Sequence, residues 1–138
     1  MVRWRVTGPV RDRAAMIAGI SPVLDGTAWV FVQSEDPVLI ARALGTFREA
    51  EGLTLILPEA AGAGGLPMAR ITLSVHSALD GVGLTAAVSG ALADAGIACN
   101  VVAAFHHDHL FVPEDRAEEA MSILKDLSSG QGAMSGPQ

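Results

Sequence analysis

The stretch ITLSVHSALDGVGLTAAVSGALADAGIACNVVAAFHHDHLFVP, residues 71–113, decides the fold of this chain. It opens with alternating apolar and polar side chains, which predict a half-buried strand. Apolar residues then recur at helical spacing over residues 82–95, so we expect an amphipathic helix there. Residues 97–105 and 109–113 are predicted to form two further strands, and an acidic turn after them opens a last helix. The predicted order is β-α-β-β-α.

The first half of the chain has a weaker pattern. Residues 29–33 and 53–57 are predicted strands, residues 37–49 a helix, and residues 17–24 a further strand. Residues 59–67 are rich in Gly and Ala, which is typical of a linker between two halves.

A short internal repeat links the halves. Residues 30–36 lead from a strand through an acidic pair into a helix, as residues 110–115 do. We therefore expect two incomplete β-α-β-β-α-β units. Neither unit is large enough to be stable alone, so the two would share a sheet or pack closely to cover their edges.

The predicted organisation has four parts. Residues 1–13 form a flexible leader, residues 14–66 a first unit, residues 67–128 a second unit, and residues 129–138 a disordered tail rich in Gly and Ser. The basic residues of the leader are interpreted as a solvated cluster: Arg3, Arg5, Arg11 and Arg13.

Composition excludes several classes of protein. Of the 138 residues, 50% are hydrophobic, which is enough for a folded core. The net charge of −6 disfavours nucleic acid as a partner. No apolar run approaches the ~20 residues of a membrane span. The single cysteine, Cys99, fits a reducing compartment, so a cytoplasmic protein is expected.

The segment Asp80-Gly81-Val82-Gly83-Leu84, followed by a helix and then Gly96-Ile97, resembles an ACT domain. The longer stretch over residues 71–113 is similar to bacterial proteins with two ACT-like units. The similarity extends to residues 19–25 and covers roughly residues 14–127. These proteins also resemble the ACT modules of a eukaryotic cytosolic arginine sensor.

This resemblance implies an α+β fold of two ferredoxin-like units, each partly incomplete, with antiparallel sheets and helices on one face. It also implies a regulatory or sensory module that binds a small molecule, most often an amino acid or a related carboxylate, between units. Such a module would have no catalytic activity, no cofactor and no metal. It would form a homodimer and act on a regulated enzyme in trans.

The loop between the first strand and the helix of the second half is the main candidate site. A helix N-terminus offers unpaired N–H groups and a partial positive charge, which suit a carboxylate. Gly83 lets a ligand approach the backbone closely. Asp80 would either cap the helix or pair with a ligand ammonium group. The ligand-binding residues predicted here are His76, Ser77, Asp80, Val82, Gly83 and Leu84.

Two residues of the next strand, Asn100 and Val101, complete the predicted binding set on that side. A polar amide among strand-forming residues needs hydrogen-bond partners if it is buried. Asn100 is therefore either a hydrogen-bonding residue of the sheet edge or a ligand contact across a unit interface.

The run Phe105-His106-His107-Asp108-His109 is the sharpest chemical feature. If the third strand of the unit lies beside the first, these residues meet the strand end at His76, with His107 and His109 on one face and Asp108 pointing away. Three interpretations remain open for this cluster. It fixes a turn, it forms a polar wall of the ligand pocket through His107, Asp108 and His109, or it binds a metal ion.

The leading hypothesis is thus a non-catalytic, amino-acid-binding regulatory module. A ligand-free interaction module is the alternative. A small enzyme that uses His76, His107 or His109, or a metal-binding protein, comes third.

Overall fold

A six-stranded antiparallel sheet organises the computed structural model, which describes residues 12–75 and 82–130. The order of the strands across the sheet is β2-β3-β1-β4-β6-β5. Their bounds along the chain are β1 (Pro22–Gln33), β2 (Gly45–Glu49), β3 (Gly52–Pro58), β4 (Met68–Leu73), β5 (Asn100–Ala103) and β6 (Asp108–Pro113).

Four α-helices connect or flank these strands in the described part of the chain. Their bounds are α1 (Arg13–Ala18), α2 (Pro37–Arg42), α3 (Leu84–Asp94) and α4 (Ala117–Ser128). Short 3-10 helices follow β3, at Glu59–Ala61, and β6, at Glu114–Arg116. No helix in these described ranges is long and apolar enough to cross a membrane.

The order of the strands places two similar units side by side. In the first unit β3 lies between β2 and β1, and in the second unit β6 lies between β5 and β4. The predicted adjacency of the first and third strands of the second half is confirmed, because β4 pairs with β6 from Met68↔Pro113 to Thr72↔His109. The α+β class and the paired ferredoxin-like units are confirmed as well.

The junction between the units is the pairing of β1 with β4. It runs from Pro22↔Leu73 to Trp29↔Met68, with an irregularity between Leu24 and Ala28. Each unit lacks a strand beyond its own first strand, and the first strand of the other unit occupies that place. The expectation that the two units share a sheet is therefore confirmed.

The helices cover one face of this sheet. The main core contains fully buried residues of α1, α3, α4 and the second unit, among them Met16, Leu92, Leu110 and Leu124. A second cluster around Val30, Leu55 and Leu57 packs against α2. Ala28 pairs with Ala69 of the main core, and residues two apart on a strand share a face. Val30 therefore lies on the same face of the sheet as the main core.

The opposite face of the sheet carries a cluster made only of strand residues, and none of the described helices packs on it. We call it the helix-free face. Asp25, in the irregular part of β1, accepts hydrogen bonds from Trp29 Nε1 and Arg70 Nη2, both at 3.0 Å. The other residues that define this face are Phe31, Ile56, Met68 and Phe111.

Asp25 and Arg70 form an ion pair between the two units. Both side chains are less than a quarter exposed, at 24% and 23%. Burial alone raises the pKa of the Asp25 carboxyl. The hydrogen bonds from the Thr27 N–H and Trp29 and the charge of Arg70 outweigh burial, so the pKa lies below its usual value. The ionised pair therefore stabilises the β1–β4 junction.

Two predictions for the first half are wrong in part. The strand expected at residues 17–24 begins only at Pro22, because α1 occupies the preceding residues up to Ala18. The Asp12 carboxylate caps α1 by accepting a hydrogen bond from the Ala15 N–H at 2.9 Å. Met16 and Ile20, one helical turn apart, are fully buried and hold the segment against the main core.

The helix expected at residues 37–49 ends at Arg42, and β2 follows it. Residues of β2 pair with β3 from Gly45↔Ile56 to Glu49↔Gly52, which forms a hairpin. This pairing is a tertiary interaction that overrides the local preference for a helix.

The repeat predicted from residues 30–36 and 110–115 is also wrong in its alignment. These segments belong to β1 and β6, which hold different places in their units. The strand that corresponds to β6 is β3, since each lies in the middle of its unit and each leads through a proline into a 3-10 helix. The predicted leader and tail fall outside the described residues, apart from Asp12, Arg13, Ser129 and Gly130.

We predict that a double-mutant cycle with Asp25→Asn and Arg70→Gln gives a coupling of about 0.5–3 kcal/mol in the free energy of unfolding, because the two groups are in contact and largely buried. Denaturant titration of the four proteins would measure it. The control is the same type of cycle on Glu35 and Arg48, which lie 3.9 Å apart with side chains 61% and 70% exposed. There the expected coupling is only about 0–1 kcal/mol. Equal coupling in the two cycles would contradict the assignment.

Candidate functional site

The first turn of α3 contains backbone N–H groups that have no acceptor within the helix. The first helical hydrogen bond of α3 runs from the Ala87 N–H to the Gly83 carbonyl, at 2.9 Å. The N–H groups of Leu84, Thr85 and Ala86 therefore have no acceptor within the helix. Their dipoles add up to a partial positive charge at this end. Gly83, at the cap position, has no side chain with which to neutralise it.

The backbone of Gly83 explains why glycine stands there. Its φ is 105° and its ψ is −17°, a conformation that side chains disfavour. A Cβ at this position would lie 2.6 Å from Cδ of Arg13 and 2.9 Å from its Nε. The Arg13 side chain thus lies directly against the start of α3.

Arg13 adds a cation to this helix end. It is the first residue of α1, and its side chain is exposed to solvent. A guanidinium group beside N–H groups that have no acceptor within the helix is an arrangement that suits a carboxylate ligand. The sequence interpretation missed Arg13, which it counted with the solvated cluster of the leader. The available signal was Asp12 in a helix-capping position, with apolar residues one turn apart after it.

The remaining predicted residues of this loop have different positions. Val82 is 80% exposed, whereas the Leu84 side chain is 4% exposed and belongs to the main core. Leu84 can therefore offer a ligand its backbone N–H but not its side chain. His76, Ser77 and Asp80 lie outside the described residues.

The histidines lie along the end of β4 that leads toward α3. His107 Nδ1 is 3.4 Å from the Val75 carbonyl oxygen, and His109 Nδ1 is 3.0 Å from Thr72 Oγ1. Asp108 is buried at 8% and alternates with His109, so it shares the helix-covered face of β6 with Leu110. The first residues of β6 therefore lie beside the last residues of β4.

Asn100 and Val101 are separated from the α3 end. Asn100 pairs with Phe111 and lies on the helix-free face, where it lines a cavity of about 250 Å³ with Phe31, Leu66 and Met68. Val101 points to the other face and packs against the main core. Asn100 and Val101 thus lie on opposite faces of the sheet, and His109 shares the helix-free face with Asn100.

Metal and thiol chemistry find little support among the residues described. Within residues 12–75 and 82–130, no group of three or more His, Cys, Asp or Glu side chains is arranged to hold a metal ion. Cys99 packs against the main core, and burial raises the pKa of its thiol. A raised pKa keeps a thiol protonated and unreactive.

We predict that Gly83→Ala destabilises the protein by about 1–3 kcal/mol, because alanine must adopt an unfavourable positive φ. Arg13 can swing away, so its displacement adds little to this cost. The matched control is Gly90→Ala, in the middle of α3, where a Cβ meets open space. That change should stabilise the protein by about 0.5–1 kcal/mol. Urea denaturation measures both effects, and two shifts of the same sign would refute this explanation.

We also predict a pH-dependent contribution from His109. Burial, together with the positive charges of Arg70 and His107, lowers the pKa of His109, and Asp108 only partly offsets them. The unfolded chain then binds a proton more tightly than the folded one. The contribution of His109 to stability is therefore complete above the ordinary histidine pKa of about 6.5 and is lost as the pH falls below it.

The measurement is the free energy of unfolding between about pH 5.5 and 7.5, a range that brackets the ordinary histidine pKa. His109→Gln, which keeps a group able to bond to Thr72, should reduce the slope of stability against pH. The same substitution at His106, an exposed residue of the β5–β6 turn, serves as the control. An unchanged slope in the His109 variant would rule out this contribution.

Comparison with protein families accounts for this architecture. Two family profiles, both described as ACT domain, match residues 69–126 and residues 9–71. A crystal structure of a protein of unknown function from Vibrio cholerae, described as a possible transport protein, is 38% identical to the chain. The similarity covers 80% of this chain and 92% of that one, with a TM-score of 0.70. A search of curated proteins gave no significant match.

More distant structures share the fold. The regulatory subunit of aspartate kinase from Thermus thermophilus, in its ligand-free form, is 11% identical over 79% of this chain and 97% of that one, with a TM-score of 0.56. A protein from Agrobacterium tumefaciens is 18% identical over 73% of this chain and 81% of that one, with a TM-score of 0.58. Two matching profiles and a relative that is similar over nearly its whole length give one conclusion: the chain belongs to the ACT-domain family and carries two ACT units.

Proposed function

We propose that this protein is a regulatory module that binds an amino acid or a related carboxylate at the N-terminus of α3. ACT domains are regulatory and often bind amino acids. The observation that carries the proposal is the Arg13 side chain lying against Gly83, at the helix end where the first N–H groups have no acceptor within the helix. A carboxylate at this point would accept backbone hydrogen bonds and face a guanidinium group.

The corresponding helix of the first unit supports a single site per chain. The α2 helix follows β1 as α3 follows β4, but the Asp36 carboxylate already accepts a hydrogen bond from the Val38 N–H at 2.9 Å. A bound carboxylate would have to compete with this built-in one. At α3 the cap residue is Gly83, which has no side chain, and the predicted capping residue Asp80 lies outside the described residues.

The histidines have a supporting role in this proposal. His107 and His109 lie at the β4 end from which the chain runs toward α3, and both ring nitrogens face groups of β4. We assign His107 to the polar surroundings of the ligand rather than to a catalytic centre, whereas the His109 side chain lies on the helix-free face, opposite α3. Together with His76, Ser77, Asp80 and Val82, they remain predicted ligand contacts. Asn100 and Val101, on other parts of the sheet, are the weakest members of that set.

The wider role follows from the family. We propose that the protein has no catalytic activity of its own, is cytoplasmic, forms a homodimer, and regulates an enzyme in trans. Structural similarity to the regulatory subunit of an aspartate kinase supports only the fold on which this role would be built. The alternative of a ligand-free interaction module is favoured by exposed aromatic residues on the helix-free face, such as Phe47, which is 72% exposed.

The experiment is a thermal-shift screen of the purified protein against all proteinogenic amino acids and common 2-oxo acids. A true ligand at a concentration ~100-fold above its Kd adds about 2.7 kcal/mol of stability. We predict that Arg13→Gln raises the Kd of that ligand by about tenfold or more, since a hydrogen bond to a charged group contributes about 1.5–3 kcal/mol. Isothermal titration calorimetry would quantify the change.

The control variant is Arg42→Gln, which removes the same charge from an exposed position in the last turn of α2. Its ligand affinity should equal that of the wild-type protein. Equal loss of affinity in the two variants would show that Arg13 acts through net charge and not through the site. Absence of any stabilising compound in the screen would argue for the interaction-module alternative.

A further inference from the structure

The helix-free face exposes large apolar side chains at its strand positions. Phe47 is 72% exposed, Val23 55%, Phe31 37% and Val102 36%. The strand registers put all four on this face. Phe47 pairs with Thr54, Val23 with Thr72, Phe31 with Ile56 and Val102 with His109, and paired residues lie on the same face of a sheet. Phe31 pairs with Ile56 of the buried cluster and Phe47 lies one strand further out, whereas Val23 and Val102 stand beside the polar Thr72 and His109. A monomeric soluble protein rarely leaves a large apolar patch open to water.

The size of this face is sufficient for a stable contact. Six strands at a spacing of about 4.8 Å, with about 5–7 residues on average at roughly 3.3 Å per residue, give a sheet surface of about 500–650 Å². Two such surfaces in contact would bury about 1,000–1,300 Å², which reaches the roughly 1,000 Å² that a specific interface needs. The cavity bounded by Phe31, Leu66, Met68 and Asn100 provides a recess within that surface.

The charge of the face indicates what covers it. The chain carries a net charge of −6, so two copies would repel each other across most of their surface. On the helix-free face of the described strands, the charged residues are Asp25, Arg70 and Glu49. Asp25 and Arg70 neutralise each other at 3.0 Å, and Glu49 lies on an edge strand, where it accepts a hydrogen bond from Thr54. A nearly neutral, apolar face suits a second acidic copy better than it suits a strongly charged partner.

We propose that two copies of the chain associate with their helix-free faces in contact, so that Phe31 and Phe47 of each copy are covered by the sheet of the other. The two sheets would lie about 10 Å apart, as in a sandwich of antiparallel sheets. The contact is isologous, since the same surface serves both copies, and it closes with two subunits. This inference names the surface through which the proposed homodimer forms, and so it rests on that part of the proposed function. It does not depend on the ligand site.

The test is sedimentation velocity of the full-length protein over a range of concentrations. The wild-type chain should be dimeric, and Phe47→Glu should raise the dimer Kd by about tenfold or more, because aromatic residues dominate interface energetics and a charge would be buried there. Phe47→Ser is a milder second variant, and Val102→Glu probes the other edge of the same face. Circular dichroism establishes that each variant is folded.

The matched control is Val38→Glu, which introduces the same charge at a valine of α2 that is 69% exposed, on the helix-covered side of the sheet. It should leave the dimer unchanged. A wild-type monomer at high concentration would overturn both the homodimer and this surface. A dimer that persists in the Phe47 and Val102 variants would overturn the surface alone. Neither result affects the amino-acid screen, whose failure would concern the site at α3 only.

Discussion

Antiparallel pairing of β1 with β4 is the interaction on which the rest of this structure depends. Each unit has its own first strand at the border of its three-stranded sheet, and that strand would be an open edge if the unit stood alone. Pairing from Pro22↔Leu73 to Trp29↔Met68 closes both edges at once. The Asp25–Arg70 ion pair crosses the same junction and fixes its register beside the irregular part of β1. The two ACT units thus share one continuous sheet.

Which strand of one unit corresponds to which strand of the other is clearer from the sheet than from the sequence. The stretches Leu55-Ile56-Leu57-Pro58-Glu59 and Leu110-Phe111-Val112-Pro113-Glu114 end the middle strands and enter 3-10 helices. The predicted alignment instead matched β1 with β6, because any strand followed by acidic residues and a helix looks alike locally. Which strand lies in the middle of a sheet is a long-range property, and a short pattern does not contain it.

The same distinction explains how much of the molecule the sequence could predict. The second unit was predictable because alternating and helical apolar spacings directly record which side chains are buried, as Val88, Leu92 and Leu110 show. The β2 strand was not, because its pairing with β3 outweighs a local helix signal. The loop before α3 could be recognised by its glycines. Arg13 could not be assigned to it, since only the packing of α1 on α3 brings its side chain to Gly83.

The two units also differ at equivalent positions, and the proposed ligand site and the proposed contact surface lie on opposite sides of the sheet. The start of α2 is capped by its own Asp36, whereas the cap residue of α3 is Gly83, which has no side chain and lies beside Arg13 on the helix-covered side. The exposed apolar residues lie on the other side of the sheet. A signal from a ligand at α3 to a partner on the helix-free face would have to pass through the strands between them. Thr72 and His109 join β4 to β6 on the helix-free face, one residue from the buried Asp108 on the other.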